Sequence, residues 1–288
     1  MKLATITVEG RRTVALLEGE HCRPLDDALG GPVDMLTLIR DFEGLRGRIG
    51  SGGAALPLAS VTLEAPIPRP ARNVFCVGKN YHEHAQEFAS SGFDATAKEV
   101  VPEAPVVFTK PSTAVIGPGV PIPAHLDPTD SVDYEGELAV VIGRGGRGIT
   151  KADALAHVFG YTIVNDVTAR TLQHKHRQWF IGKGLDGFCP MGPAIVTADE
   201  VPDPTRLHLR TFVNGEKRQD AAVSTLIFDI PTLIETLSQG MTLEPGDVIA
   251  TGTPVGVGLG FKPPKFLKKG DVVRIEVDGV GVLENPVG

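Results

Sequence analysis

Asp133-Tyr134-Glu135-Gly136-Glu137-Leu138-Ala139-Val140-Val141-Ile142 turns from acidic to apolar within one short run. A strand with that pattern has its first half at an open end and its second half inside a core. Side chains repeat every two residues along a strand, so Glu135 and Glu137 leave the same face, near enough to share one cation. Asp166 follows Tyr161-Thr162-Ile163-Val164, a second run with core-strand character, and a neighbouring strand end can bring it to the same point. Taken alone, the two glutamates read as a solvated strand end, and Asp166 as the N-cap of a helix beginning near Val167. Taken together, three carboxylates that would repel one another read better as a cation site. Oxygen-only ligand sets suit magnesium, manganese or calcium, whereas zinc and copper sites recruit histidine or cysteine. One Mg²⁺ or Mn²⁺ per chain is the expectation.

Working outward, short strands are expected at 73–77, 105–109, 136–142, 159–164, 193–197, 207–213, 247–251, 271–277 and 280–284, with hairpin turns at Asn214-Gly215 and Asp278-Gly279. The clearest helix has Asp229 as N-cap, Pro231 in its first turn and Gly240 as its stop, with Leu233, Ile234 and Leu237 inward. Upstream, 2–8 and 13–17 form a hairpin around Gly10, and Met35, Leu36, Leu38 and Ile39 give a short helix after Asp34. From Gly50 to Pro70 glycine, alanine and proline dominate, which predicts a linker between a small N-terminal α/β domain, 1–65, and a main domain, 66–288. The fold class is α+β with mainly antiparallel sheet, and no fixed-period repeat points to a solenoid or propeller.

The net charge of -7 and pI near 5.6 argue against a nucleic-acid partner. Met1-Lys2-Leu3-Ala4-Thr5-Ile6 leads into charge rather than the apolar region of a signal peptide, and no membrane-spanning run occurs. Cys22, Cys76 and Cys189, odd in number and far apart, read as reduced, buried thiols, so a cytoplasmic location is expected.

Gly78-Lys79-Asn80-Tyr81-His82-Glu83-His84-Ala85-Gln86-Glu87 passes from strand to helix. His84 and Glu87 are three apart and so share a helix face, where the carboxylate can orient the imidazole as it takes a proton. The same residues also suit a solvated helix. Lys183, between Gly182 and Gly184, can reach a developing oxyanion, or water. Thr251-Gly252-Thr253-Pro254 ends a strand in a turn suited to a substrate carboxylate. Gly143-Arg144-Gly145-Gly146-Arg147-Gly148 matches a dinucleotide fingerprint, with a helix expected after Thr150 and Asp166 at the distance of a ribose-binding acid. A strand opening with Glu135 and Glu137 is unlike the apolar first strand of that fold, so the glycines read as a tight loop.

In order along the chain, Val77-Gly78-Lys79-Asn80-Tyr81 with His84 and Glu87, Phe108-Thr109-Lys110-Pro111-Ser112, Tyr134-Glu135-Gly136-Glu137, Asn165-Asp166-Val167-Thr168-Ala169-Arg170, Gly182-Lys183-Gly184 with Cys189-Pro190, and Thr251-Gly252-Thr253-Pro254 with Gly256 and Gly258 are similar to the fumarylacetoacetate hydrolase family. The likeness spans roughly 71–287 and implies a mixed β-roll, usually dimeric, with Mg²⁺ or Mn²⁺ on Glu135, Glu137 and Asp166. It implies His84 and Glu87 as a water-activating dyad on a mobile lid, Lys183 as a charge stabiliser, and Tyr81, Arg170, Gln173 and Thr253 as substrate-binding groups. Thr171 departs from the pattern, since many members have aspartate after the arginine.

The expected activity is hydrolysis of a carbon-carbon bond in a β-diketo acid of acylpyruvate or fumarylpyruvate type, giving pyruvate and a carboxylic acid. Oxaloacetate decarboxylation or tautomerisation and isomerisation of a 2-hydroxy-dienedioate, as in aromatic catabolism, are the alternatives within the family. An NAD(P)-dependent reductase and a non-catalytic binding protein are the more distant ones. The expected partners are a small keto acid and a second copy of the chain in a homodimer.

Overall fold

The computed structural model describes residues 1–50, 53–93 and 100–288. Among these, a twelve-stranded mixed sheet forms the backbone of the molecule. Its centre is built from Cys189–Thr197, Val158–Asn165, Gly136–Ile142 and Val248–Ala250, each antiparallel to the next. Val74–Gly78 joins Val248–Ala250 in parallel, and Val106–Lys110 closes that side as the edge. Gly136–Ile142 and Val158–Asn165 are buried at every position, because both faces of the sheet are covered.

Period-two alternation sorts the central side chains between two cores. Leu138, Val140, Tyr161 and Ile163 meet Leu209, Val213, Ile275 and Leu283 of a four-stranded antiparallel sheet. Ala139, Val141 and Val164, on the other face, meet Leu3, Leu38, Ile39 and Ile49 from the N-terminal part of the chain. In the smaller sheet His208–Val213 and Val272–Val277 alternate buried with half-buried residues, as strands do when one face packs. Asn214-Gly215 makes the tight turn into Glu216–Ala222, with both residues at positive φ. That last strand, Glu-Lys-Arg-Gln-Asp-Ala-Ala, escapes a reading by hydrophobic pattern because it is an edge strand with few apolar residues.

The expected strands are present with small shifts of boundary, and Ile230–Ser238 is the expected helix. The Asp229 carboxylate accepts from Thr232 N at 2.9 Å, and Leu233, Ile234 and Leu237 are buried. One expected helix is not found and another begins late. After Thr150 the chain makes turns and a 3₁₀ segment, Ala154–His157; at Val167 it enters the short strand Thr168–Ala169, paired with Val132–Asp133, and becomes helical only at Arg170–His176. Much of the stretch read as a linker is built into the sheet: Leu56–Pro57 pairs with His21–Pro24, and Thr62–Leu63 with Lys2–Val8. Ser51 and Gly52 of that stretch lie outside the described residues. All three cysteines are free and buried. No helix among the described residues is long and apolar enough to cross a membrane.

Candidate active site

Glu135 and Glu137 stand where the central strand emerges at the end of the sheet, and the chain needs glycine between them. A Cβ on Gly136 would lie 2.3 Å from Thr211 Oγ1 of the smaller sheet. The opposite face of the strand is thus pressed against a neighbour while both glutamates turn the other way. Asp166 follows the adjoining strand, and its amide donates to the Glu135 carbonyl at 2.8 Å. All three carboxyl groups are buried, with one oxygen from each within 4.8 Å of the others.

Two buried lysines and one arginine hold the cluster. Lys183 Nζ donates to Glu135 Oε2 at 2.6 Å and to Asp166 Oδ2 at 2.7 Å. Lys110 Nζ, from the edge strand, donates to Asp166 Oδ1 at 2.6 Å and to the Val167 carbonyl at 2.9 Å. Arg170 Nη1 is 2.7 Å from Glu135 Oε1. Glu137 has no ion pair among the described residues and accepts instead from Gly252 N at 2.8 Å.

This difference divides the acids electrically. Burial raises the Glu137 carboxyl well above its ordinary range, and the charges of Asp166 and Glu135 raise it further. For Glu135 burial acts upward too, but Lys183, Arg170 and His84 outweigh it and hold the carboxyl below the usual value. Burial pulls the Lys183 amine down, and Asp166 and Glu135 more than reverse that. An oxygen-only, fully buried donor set with one acid unpaired fits a hard divalent cation of the Mg²⁺ or Mn²⁺ kind.

His84 and Glu87 lie on the helix His82–Ser90, as their spacing predicts, with His84 Nδ1 3.1 Å from Glu87 Oε2. Glu87 is itself fixed by Gly256 N, 3.0 Å from Oε1. A carboxylate on Nδ1 leaves Nε2 as the basic nitrogen.

One cavity takes its polar lining from Lys79, His84, Glu135, Glu137, Arg170, Gln173, Lys183 and Thr253, and its apolar walls from Phe88, Phe108 and Trp179. Its free volume of 10 Å³ is about that of a single water site. Larger grooves exist, one of 770 Å³ beside Val213 and Phe266, but it contains none of these groups. Tyr81 does not line the cavity: it is buried, bridges Leu226 through its backbone and borders a separate groove with His82 and Pro254. The Thr253 hydroxyl donates to the Gly136 carbonyl at 3.0 Å and accepts from Gln219 Nε2 at 2.8 Å, so it has no proton left for a ligand.

Two site residues escape a reading of the sequence by spacing, Lys110 and Asp133. Lys110 stands in the quoted Phe108–Ser112 motif but meets Asp166 only through pairing of distant strands. Asp133 continues the alternation 133, 135, 137, which is a usable signal. It solves the problem posed by Thr171: Arg170 Nε donates to Asp133 Oδ2 at 2.8 Å and Nη1 to Gln173 Oε1 at 3.2 Å, while Thr171 N donates to Ser131 Oγ. Arg170 Nη2 is buried without a hydrogen-bond partner among the described residues, on a side chain that lines the cavity.

The glycine loop after the central strand is structural. Gly143 N donates to the His157 carbonyl, Gly146 N to Leu243 and Gly148 N to Ser238, at 2.8, 2.9 and 2.6 Å, so these amides are not available to a pyrophosphate.

Residues 73–288 match the family described as Fumarylacetoacetate (FAA) hydrolase C-terminal. The chain is 54% identical over 286 residues, 98% of its own length and 88% of the relative's, to oxaloacetate tautomerase YisK of Bacillus subtilis (strain 168). Among solved structures it is similar to a fumarylacetoacetate hydrolase from psychrophilic Exiguobacterium antarcticum, with a TM-score of 0.87, 44% identity and coverage of 100% of this chain and 99% of that one. It is also similar to maleylpyruvate hydrolase from Sphingobium sp. SYK-6 in complex with manganese(II) and pyruvate, with a TM-score of 0.82, 35% identity and coverage of 100% and 98%. The α+β architecture and the ordered motifs agree with these likenesses, and the chain belongs to the fumarylacetoacetate hydrolase family.

Proposed function

We propose that the chain catalyses proton transfer on a small β-keto dicarboxylic acid, interconverting the enol and keto forms of oxaloacetate or a close relative. The observation that carries this reading is the meeting, in one cavity, of a carboxylate-oriented histidine, a buried lysine, Glu135 and Glu137, with the Asp166 carboxylate converging on the two glutamates. The likeness to an oxaloacetate tautomerase over nearly the whole chain supports it. So do the close apolar walls, Phe88, Phe108 and Trp179, which favour a compact substrate over a long acyl chain.

A divalent ion on Glu135, Glu137 and Asp166 would supply Lewis acidity toward the keto acid's oxygens. The unpartnered Arg170 Nη2, with Gln173 beside it, offers a donor to a substrate carboxylate. In the keto-to-enol direction His84 Nε2 takes the proton from the carbon between the two carbonyl groups. The C–H electron pair becomes the new carbon-carbon double bond, negative charge collects on the carbonyl oxygen, and the His84 imidazolium returns its proton to that oxygen, which leaves the histidine neutral again. Glu87 stabilises the imidazolium, and Lys183 stabilises the oxygen's charge. The reverse sequence ketonises the enol.

A second reading, carbon-carbon hydrolysis of an acylpyruvate, is favoured by the same His84–Glu87 pair, because a histidine so oriented equally activates water. Its likeness to a maleylpyruvate hydrolase supports it. One panel decides between them with Mg²⁺ or Mn²⁺ present. Accelerated loss of the enol's ultraviolet absorbance from oxaloacetate without pyruvate release is the tautomerase result. Pyruvate plus a carboxylic acid from acylpyruvates makes the chain a hydrolase, and pyruvate from oxaloacetate makes it a decarboxylase. No turnover of any of these leaves a binding protein.

A further inference from the structure

Val255-Gly256-Val257-Gly258-Leu259-Gly260 carries glycine at alternate positions, and two carboxylates grip it, the buried Asp133 and the half-buried Glu87. Asp133 Oδ1 accepts from Gly258 N at 2.7 Å and Oδ2 from Leu259 N at 3.0 Å; Oδ2 also accepts from Arg170 Nε. Glu87 accepts from Gly256 N while its other contact is His84. The glycines make both grips possible. A Cβ on Gly258 would lie 2.6 Å from Asp133 Oδ1, and one on Gly260 would lie 2.0 Å from Glu87 Oε1. The loop thus touches the arginine end of the cavity through one acid and the histidine end through the other.

We propose that the Gly256–Gly260 loop is a coupling element, and that Asp133 and Glu87 are positioning residues which set Arg170 and His84 in register with each other through it. Neither acid needs to meet the substrate. Asp133 has four donors around it, Tyr134 N being the fourth at 2.9 Å, so its carboxylate has no spare capacity and any shift of the loop is passed to the Arg170 guanidinium. Glu87 is tied to the same short stretch of backbone. Movement of the helix His82–Ser90 that carries it must either drag the loop or break the Gly256 bond.

The inference deepens the proposed reaction and rests on that reading's roles for Arg170 and His84. Its test uses ligand binding, so that the two fail separately. Oxalate, a planar α-keto acid mimic, is titrated calorimetrically into the Mn²⁺-saturated full chain and into Asp133→Asn, Glu87→Gln and their double variant. Coupling predicts that Glu87→Gln, although remote from the bound carboxylate, weakens oxalate about fivefold, and that the double variant is at most about twofold weaker than Asp133→Asn alone. Gly260→Ala, which puts a methyl group where the Glu87 carboxylate lies, is expected to copy Glu87→Gln in oxalate binding while binding Mn²⁺ as tightly as the parent. That variant decides the matter if Asp133→Asn does not fold. Unchanged oxalate affinity in both Glu87→Gln and Gly260→Ala, or losses that multiply in the double variant, would overturn the proposal. Full tautomerase activity in His84→Ala overturns the functional reading instead, and leaves the oxalate result standing.

Discussion

Glu137 and Lys183 are the two residues in which the electrostatics of the site are most concentrated. Around the cavity stand four buried carboxylates, Asp133, Glu135, Glu137 and Asp166, and four buried cations, Lys79, Lys110, Lys183 and Arg170, and among the described residues Glu137 has no ion pair. A divalent cation would give it a partner. Mg²⁺ or Mn²⁺ is therefore expected to raise the melting temperature, with a stabilisation of about 2.7 kcal/mol at a hundredfold excess over the dissociation constant. Glu137→Gln should cross over: more stable than the parent in EDTA, because a repelled charge is gone, yet almost unmoved by the metal. Calorimetric scans of both chains with metal and with EDTA check this, and equal metal shifts in the two would exclude Glu137 as a ligand. Lys183 bridges two acids, so Lys183→Met leaves Glu135 and Asp166 facing each other without it. A drop of about 3–5 kcal/mol in unfolding free energy is expected, together with roughly a hundredfold loss of kcat. Denaturant titration and steady-state rates measure the two, and a variant as stable and active as the parent refutes the bridging role.

Among the elements, the helix Ile230–Ser238 shows how local chemistry becomes a stability that depends on pH. The Asp229 side chain caps it through Thr232 N. Partial burial acts upward on its carboxyl, but the Thr232 bonds and Lys151 outweigh burial and hold it below the ordinary aspartate value. A depressed carboxyl contributes stability above its unfolded value, about 4, and loses that contribution as the pH falls through the folded one. Asp229→Ala should therefore cost about 1 kcal/mol near neutrality and progressively less below about pH 4. Urea titrations at pH 7 and pH 3.5 compare the two chains, and a cost independent of pH would assign it to packing instead. This cap was legible because Asp229, Pro231 and the apolar spacing all act within one turn of helix. The central strands were legible for the same local reason, alternation or an unbroken apolar run. Glu135, Glu137 and Asp166 came within reach because each stands at the end of such a strand. Lys110 had no such local signal and Asp133 only its place in the alternation, since their partners lie 56 and 37 residues away and strand order joins them. The false helix at Thr150 and the late start of the one expected near Val167 have a similar origin: capping residues are present, but tight turns and sheet pairing take the backbone first.

At the scale of the whole molecule, the first 65 residues and the rest share hydrogen bonds and a core. Lys2 and Leu3 pair with Val196 and Ile195 of the central strand Cys189–Thr197, and Thr5 Oγ1 donates to the Pro66 carbonyl at 2.7 Å. Leu3, Met35, Leu38, Ile39 and Ile49 pack in one cluster with Val141, Val164 and Ile195, on the face of the sheet opposite the smaller one. Each large apolar side chain so buried is worth about 1.5–3 kcal/mol, and five of them together are comparable with the net stability of about 5–15 kcal/mol of an ordinary domain. Cutting the chain at residue 66 would also leave Cys189–Thr197 with an unpaired edge along the stretch that Lys2–Val8 covers, a template for association between copies. A fragment of residues 66–288 is therefore expected to bind a hydrophobic dye, to elute largely as aggregates and to lose its cooperative melting transition, even though every residue assigned to the cavity is retained. Size exclusion, dye binding and calorimetry on the fragment beside the full chain measure this. A soluble fragment with the parent's transition and metal response would mean that the N-terminal segment is an independent appendage and that the shared core contributes little to the site.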